Sequence, residues 1–220
     1  MSNLFDVTFD DCKLYNPKLD GFDLIVNSGG KMAVNAASKY DGDYGVEITP
    51  LKGYYLAGCK RVDNPTRFRQ SFYLHPHGVT IPDTGGIVIA RNYHLDLSQT
   101  IYRIRLLYGS GLYQITYDVQ RSSGTVYFGG NNTLDNQNDW NLIEIDEFFD
   151  VSGFFKIWLN GVLKWTRTLD NTGLSLFYPC LGSVASTTVS SGTFYLAHWK
   201  ANITGDALGG TVPPPPPPPP

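Results

Sequence analysis

Hydrophobic and polar positions alternate over short stretches through most of this chain, and the pattern is clearest between Trp140 and Trp165. There Leu142, Ile143 and Ile145 gather in one arm. Phe155, Ile157 and Leu159 fall on every second position of the next, the period of a pleated strand. Asn160-Gly161 follows, the dipeptide best suited to positive φ at both central positions of a type I′ hairpin turn. With a two-residue loop, Leu159 faces Val162 and Trp158 faces Leu163. One face of this hairpin then carries Phe155, Ile157, Leu159 and Val162. The other carries Phe154, Trp158, Leu163 and Trp165, with Lys156 and Arg167 among them. A ribbon apolar on both sides is either covered on both or offers one aromatic surface to a partner. The covered arrangement is preferred, because large apolar groups favour the interior.

The same reading places strands over residues 4–9, 22–26, 44–48 and 51–59, separated by Asn16-Pro17, Asp20-Gly21, Asn27-Ser28-Gly29-Gly30 and Pro50. Within 51–59, Tyr54 and Tyr55 must point to opposite faces. Residues 101–108 set Arg103 and Arg105 against Tyr102, Ile104 and Leu106. After Gly109-Ser110-Gly111, Tyr113, Ile115, Tyr117 and Val119 share a face. Residues 129–139 are a polar loop by composition, and 187–191 a Ser/Thr-rich connection. Many short strands with turn signals between them, and no long amphipathic helical stretch, indicate an all-β, antiparallel two-sheet β-sandwich or a barrel.

Trp140, Leu142, Ile143 and Ile145 followed by Ile157-Trp158-Leu159-Asn160-Gly161 resemble the signature of the laminin G-like, or concanavalin A-like, jelly roll. The similarity extends to Phe68–Leu74, Gly85–Ala90, the expected hairpin of 102–107 and 112–119, and the closing run Phe194–Trp199. It covers most of residues 1–205. The resemblance implies a concanavalin A-like lectin-glucanase sandwich. The closing run lacks the acidic residue that many members carry there, which removes the support for their metal sites.

Aromatic residues make up 14% of the 220 and charged residues only 17%, which favours strands and tight turns. A formal charge of -3 speaks against nucleic acid as a partner, since that affinity rests on Lys and Arg neutralising phosphates. Cys12, Cys59 and Cys180 are widely spaced and odd in number, so buried free thiols are expected. The start lacks a secretion leader and no apolar run is long enough to cross a bilayer, so synthesis in the cytoplasm without membrane insertion is expected, with incorporation into a virion or a larger exported assembly as the way out. The jelly roll is expected over 1–208. Residues 209–220 are Gly-Gly-Thr-Val and eight prolines, a stiff polyproline II spacer that would tether the domain to a larger assembly.

Candidate chemistry is sparse. Glu144-Ile145-Asp146-Glu147 resembles the acidic strand of laminarinase-like glycoside hydrolases, but retaining hydrolysis needs two carboxyls about 5 Å apart. Alternation puts Glu144 and Asp146 on one face and Glu147 on the other. His75-Pro76-His77 lacks further metal ligands in sequence and reads as a loop. Asp135 and Asp139 are the carboxylates that would hold calcium, the one cofactor the sequence suggests. Trp158 and Trp165, with Tyr93, Asn131 and Asn132 in neighbouring turns, compose a candidate sugar platform, because saccharides lay apolar C–H faces on aromatic rings. The expectation is therefore a non-catalytic recognition or adhesion module for a glycan or protein surface, not an enzyme. A structural component of a phage particle is the alternative, and a glycoside hydrolase the remote one.

Overall fold

The computed structural model describes residues 5–7, 24–27, 31–41, 43–50, 56–82, 86–93, 100–120, 123–124, 126–186 and 191–208. Cys12, Tyr54 and Tyr55, and the whole of 209–220 lie outside them, with the expectations placed on those residues.

Two eight-stranded antiparallel sheets pack face to face. The first runs β14 (Val162–Leu169), β13 (Gly153–Leu159), β12 (Asn141–Phe148), β6 (Arg67–His75), β16 (Phe194–Asn202), β4 (Asp43–Thr49) and β3 (Lys31–Tyr40), with β1 (Phe5–Val7) also pairing β16. The second runs β10 (Val126–Phe128), β9 (Leu112–Gln120), β8 (Thr100–Gly109), β7 (Ile87–Tyr93), β15 (Tyr178–Ser186), β5 (Leu56–Cys59) and β2 (Leu24–Asn27), with β11 (Asn132–Thr133) on β9. This is the concanavalin A-like jelly-roll sandwich. Inward positions of both sheets build one core: Phe72, Leu74, Ile143, Ile145, Phe155, Ile157 and Leu159 from the first meet Ile89, Tyr102, Ile104, Leu106, Ile115 and Tyr117 from the second. The alternation read along 101–119 therefore sorts those side chains correctly. Lys31–Tyr40 is a strand that the sequence reading did not assign.

Asn160 and Gly161 both take positive φ, 50° and 76°, as a type I′ turn requires. Leu159 faces Val162 and Trp158 faces Leu163 as expected, but the register then shifts and Ile157 pairs with Trp165. The extra residue on β14 is Lys164. This β-bulge reverses the phase of everything after it. Trp165 thereby leaves the face of Trp158 and packs inward, its ring 4.7 Å from Tyr117 and 5.7 Å from Phe155. The expected pairing of two indoles on one surface is corrected by that single inserted residue.

The cysteine expectation is also corrected. Cys59 on β5 and Cys180 on β15 are directly opposed, with Cα atoms 4.1 Å apart, and form a disulfide. They lie 121 residues apart in sequence, so only the strand order brings them together.

Between the sheets lies a polar chain in an otherwise apolar core. Trp199 Nε1 donates to Gln70 Oε1 at 2.8 Å, Gln70 Nε2 donates to the Tyr102 hydroxyl and to Asn92 Oδ1, and Asn92 Nδ2 donates to Glu147 Oε2 at 2.8 Å. Glu147 points inward, on the face opposite Glu144 and Asp146, which point outward. Burial pushes the Glu147 carboxyl well above its ordinary range; the Asn92 hydrogen bond opposes this, and the charge of Asp146 adds to it. A carboxyl whose pKa is higher in the folded chain contributes its full stability below the unfolded pKa and loses it as pH rises through the folded one. Thermal melts should therefore show wild-type Tm falling with rising pH above the ordinary carboxylate range. Glu147→Gln, which keeps an acceptor for Asn92 and never ionises, should flatten that slope. At alkaline pH it should gain about 1–3 kcal/mol. Parallel wild-type and variant slopes would show that Glu147 does not titrate in this range.

Candidate functional site

The outward face of the first sheet collects groups that the core rejects. On β6 the outward positions are Arg67, Arg69, Ser71, Tyr73 and His75, because Phe68, Gln70, Phe72 and Leu74 are needed inside. Across β12, Glu144 lies opposite Ser71 and Leu142 opposite Tyr73; across β13, Trp158 lies opposite Glu144. On the other side, β16 sets Ala197 against Tyr73 and Lys200 against Ser71.

One end of this face is built on two departures from regular strand geometry. The first is in β16, where the pairing with β6 slips between Ala197 and Lys200. His198 there takes a φ of 46°, left-handed backbone that few non-glycine residues adopt. The bulge lets Trp199 point inward, fully buried, while His198 joins Ala197 on the outer side. The second is at Gly45, where an added Cβ would lie 2.2 Å from the Ser38 carbonyl oxygen and 2.8 Å from that of Leu196. Only glycine allows β3 to lap so closely over β4 and β16, and that lap carries Tyr40 inward from the sheet edge to Tyr73.

The result is a cluster of titratable rings. Tyr40 stacks on Tyr73 with centroids 4.0 Å apart, and the His198 imidazole stands edge-on to both, at 5.3 and 5.8 Å. A side-chain hydrogen bond joins Tyr40 and Tyr73. Burial first, then that bond, raises the Tyr40 pKa. Burial also raises Tyr73, while the bond with Tyr40 and the charge of Lys200 pull it back. Tyr73 is therefore a protonated phenol at neutral pH whose anion has a donor and a cation already in place.

His75, Trp140, Tyr195 and His77 extend the cluster. His75 lies 5.4 Å from the Trp140 ring, and His77 stacks on Tyr195 at 4.2 Å. Burial, and secondarily the neighbouring His77, push His75 down to about 4. His75 Nδ1 accepts from the His77 backbone N–H, so neutral His75 carries its proton on Nε2. Further along the face, Arg69 pairs with Glu144 at 3.2 Å and Arg67 binds Asp146 through two hydrogen bonds of 3.0 and 2.7 Å. Arg69 also lies 4.8 Å over the half-buried Trp158 ring.

The structure does not bring the five sequence-derived platform residues together. Trp158 is on the outer face of the first sheet, in the same row as Ser71 and Lys200. Trp165 packs on the core. Tyr93, with Arg91 at 4.2 Å over its ring, belongs to the outer side of the second sheet. Asn131 is exposed, and Asn132 donates to the Gly130 carbonyl at 3.1 Å. Asp135 accepts from Asn160 and pairs with Lys164 at 3.5 Å, and Asp139 accepts from the Trp140 backbone N–H. Among the described residues, no group of three or more His, Cys, Asp or Glu could hold a metal ion. Tyr40, Tyr73, His198 and Lys200 were missed by sequence reasoning. Alternation along β6 does put Tyr73 outward, but nothing in the order of residues announces the bulge at His198 or the lap of β3.

The fold and this face define a jelly-roll sandwich with a Tyr/His cluster on one open sheet. No family model matches the chain, and no curated protein matches it by sequence. Among solved structures it is similar to an endo-β-1,4-glucuronan lyase from the fungus Trichoderma reesei, with a TM-score of 0.62 and 12% identity over 91% of this chain and 95% of that one. It is also similar to the alginate lyase vAL-1 from Chlorella virus, at 0.51 and 14% over 82% and 91%. A third is the receptor-binding domain of botulinum neurotoxin type G, at 0.56 and 14% over 93% of this chain but 50% of that one. At these identities the likeness concerns the fold. The match to polysaccharide lyases corrects the expectation of a non-catalytic recognition module that is not an enzyme. The solved structures that match it over most of both chains are polysaccharide lyases.

Proposed function

We propose that the chain is a glycan-processing enzyme of the polysaccharide-lyase type, cleaving a uronic-acid-containing polymer by β-elimination on the outer face of the first sheet. The observation that carries this reading is the contact of Tyr73 with Tyr40 and His198, beside Lys200. Elimination from a 4-linked uronate requires a base at the C5 proton, an acid at the departing O4 and a cation for the carboxylate, whose charge otherwise keeps that proton from leaving. His198 takes the C5 proton. The electron pair forms the C4=C5 double bond as the C4–O4 bond breaks, and Tyr73 gives its proton to O4. Tyr40, already hydrogen-bonded to Tyr73, stabilises the phenolate so formed. Lys200 faces the substrate carboxylate, and Trp158, in the same row, offers a ring for a neighbouring sugar.

Two kinds of neighbour support a glycan as the ligand: lyases acting on glucuronan and alginate, and a botulinum binding domain solved in complex with SialylT. The experiment is incubation with polyglucuronate, alginate and polygalacturonate, following the ultraviolet absorbance of 4,5-unsaturated chain ends. Absorbance that grows with enzyme concentration on at least one polymer is expected. No unsaturated product from any uronate polymer would overturn the proposal.

A further inference from the structure

We infer that Gln70 is a positioning residue for His198, acting through the indole of Trp199; the inference rests on the role proposed above for His198. Regular alternation along β16 would bring Leu196 in, Ala197 out, His198 in and Trp199 out. The observed strand instead buries Trp199 completely and turns His198 outward. A buried indole N–H needs an acceptor, because a buried donor left without one is destabilising. That N–H donates to Gln70 Oε1, at 2.8 Å.

The choice of that oxygen is fixed from the far side of the core. An indole offers only a donor, so Gln70 must present its oxygen to Trp199 and its amide nitrogen to Tyr102 and Asn92. Asn92 can accept there because its own nitrogen donates to Glu147. Donation therefore runs one way, from Trp199 in the bulge through Gln70 and Asn92 to Glu147 on β12. This chain of bonds holds residue 199 inward on β16, so the inserted residue of the bulge is His198 and its ring meets Tyr73. Pairing with β1 at Val7 and with β6 at Ser71 holds the backbone on either side, and the Gln70 bond adds the contact that fixes which way the indole N–H points. The left-handed φ of His198 is strained backbone that must be held by its surroundings, and the Gln70–Trp199 bond is a directional contact next to it.

The test compares Gln70→Met and Trp199→Phe, which delete the acceptor and the donor, with Gln70→Glu, which keeps an oxygen for the indole. In wild type, the imidazole C–H resonances of His198, identified by their absence in His198→Asn, should be displaced by the ring currents of Tyr40 and Tyr73. Both deletions should move these resonances toward those of an exposed histidine while the folded-state melt persists, and Gln70→Glu should hold them near wild type. On the polymer that wild type cleaves, the deletions should lower kcat about a hundredfold at similar KM. Unchanged His198 resonances in folded Gln70→Met would overturn the inference, as would movement equal in Gln70→Met and Gln70→Glu. Should wild type cleave no polymer, the proposed function fails, yet the His198 resonances still decide whether Gln70 positions that ring.

Discussion

Tyr73→Phe should slow elimination by orders of magnitude while leaving the molecule folded. Phenylalanine keeps the ring that stacks on Tyr40 at 4.0 Å and removes only the hydroxyl that would protonate the departing oxygen. General-acid assistance of this kind contributes about 10²–10⁴-fold, so kcat should fall by that factor with little change in KM. The pH profile separates this role from a packing role. Burial holds the Tyr73 pKa above the ordinary tyrosine value, so the donor form persists and the alkaline limb of kcat should lie above that value. Tyr40→Phe removes a hydrogen bond that favours the phenolate. It should move the alkaline limb upward again while slowing turnover. A Tyr73→Phe enzyme with wild-type kcat would remove Tyr73 from the chemistry.

The second large effect concerns the Cys59–Cys180 bridge. Its cysteines are 121 residues apart, and closing a loop of that order is worth roughly 4–5 kcal/mol in the chain-entropy account. Measured losses of native disulfides usually fall at about 2–5 kcal/mol. For a chain of this size each kcal/mol shifts Tm by about 2–4 °C. The Cys59→Ala/Cys180→Ala double variant should therefore melt well below wild type without losing the sandwich. Thiol labelling in denaturant offers an independent check, since prior reduction should reveal two additional thiols. Equal labelling with and without reductant would show that the bridge does not form.

What the amino-acid order disclosed was mostly periodicity. Asn160-Gly161 announced its turn, and the alternation of Phe155, Ile157 and Leu159, or of Tyr113, Ile115 and Tyr117, sorted core from surface, because both are local properties of a pleated chain. The same logic put Glu147 on the face opposite Glu144 and Asp146, without telling which of the two faces is buried. It failed wherever one residue was inserted into a ladder. Lys164 reverses the phase of β14 and takes Trp165 indoors; the slip after Ala197 turns Trp199 in and His198 out. Neither has a compositional mark. Lys31–Tyr40 escaped notice because the small residues of Ala36-Ala37-Ser38, part of the stretch that crosses close over Gly45, weaken the alternation by which strands are recognised. The candidate site was illegible for a further reason. Tyr40, Tyr73 and His198 come from three separate strands, and only the order β6, β16, β4, β3 within the sheet makes them neighbours.

Tyr40 reaches the cluster from an outermost strand, the kind of element that opens most readily in a folded protein. The phenol that steadies Tyr73 is thus mounted on a border strand of the first sheet as the described residues form it. Warming should peel that border away before the sandwich melts, so loss of turnover would precede loss of structure and reverse on cooling.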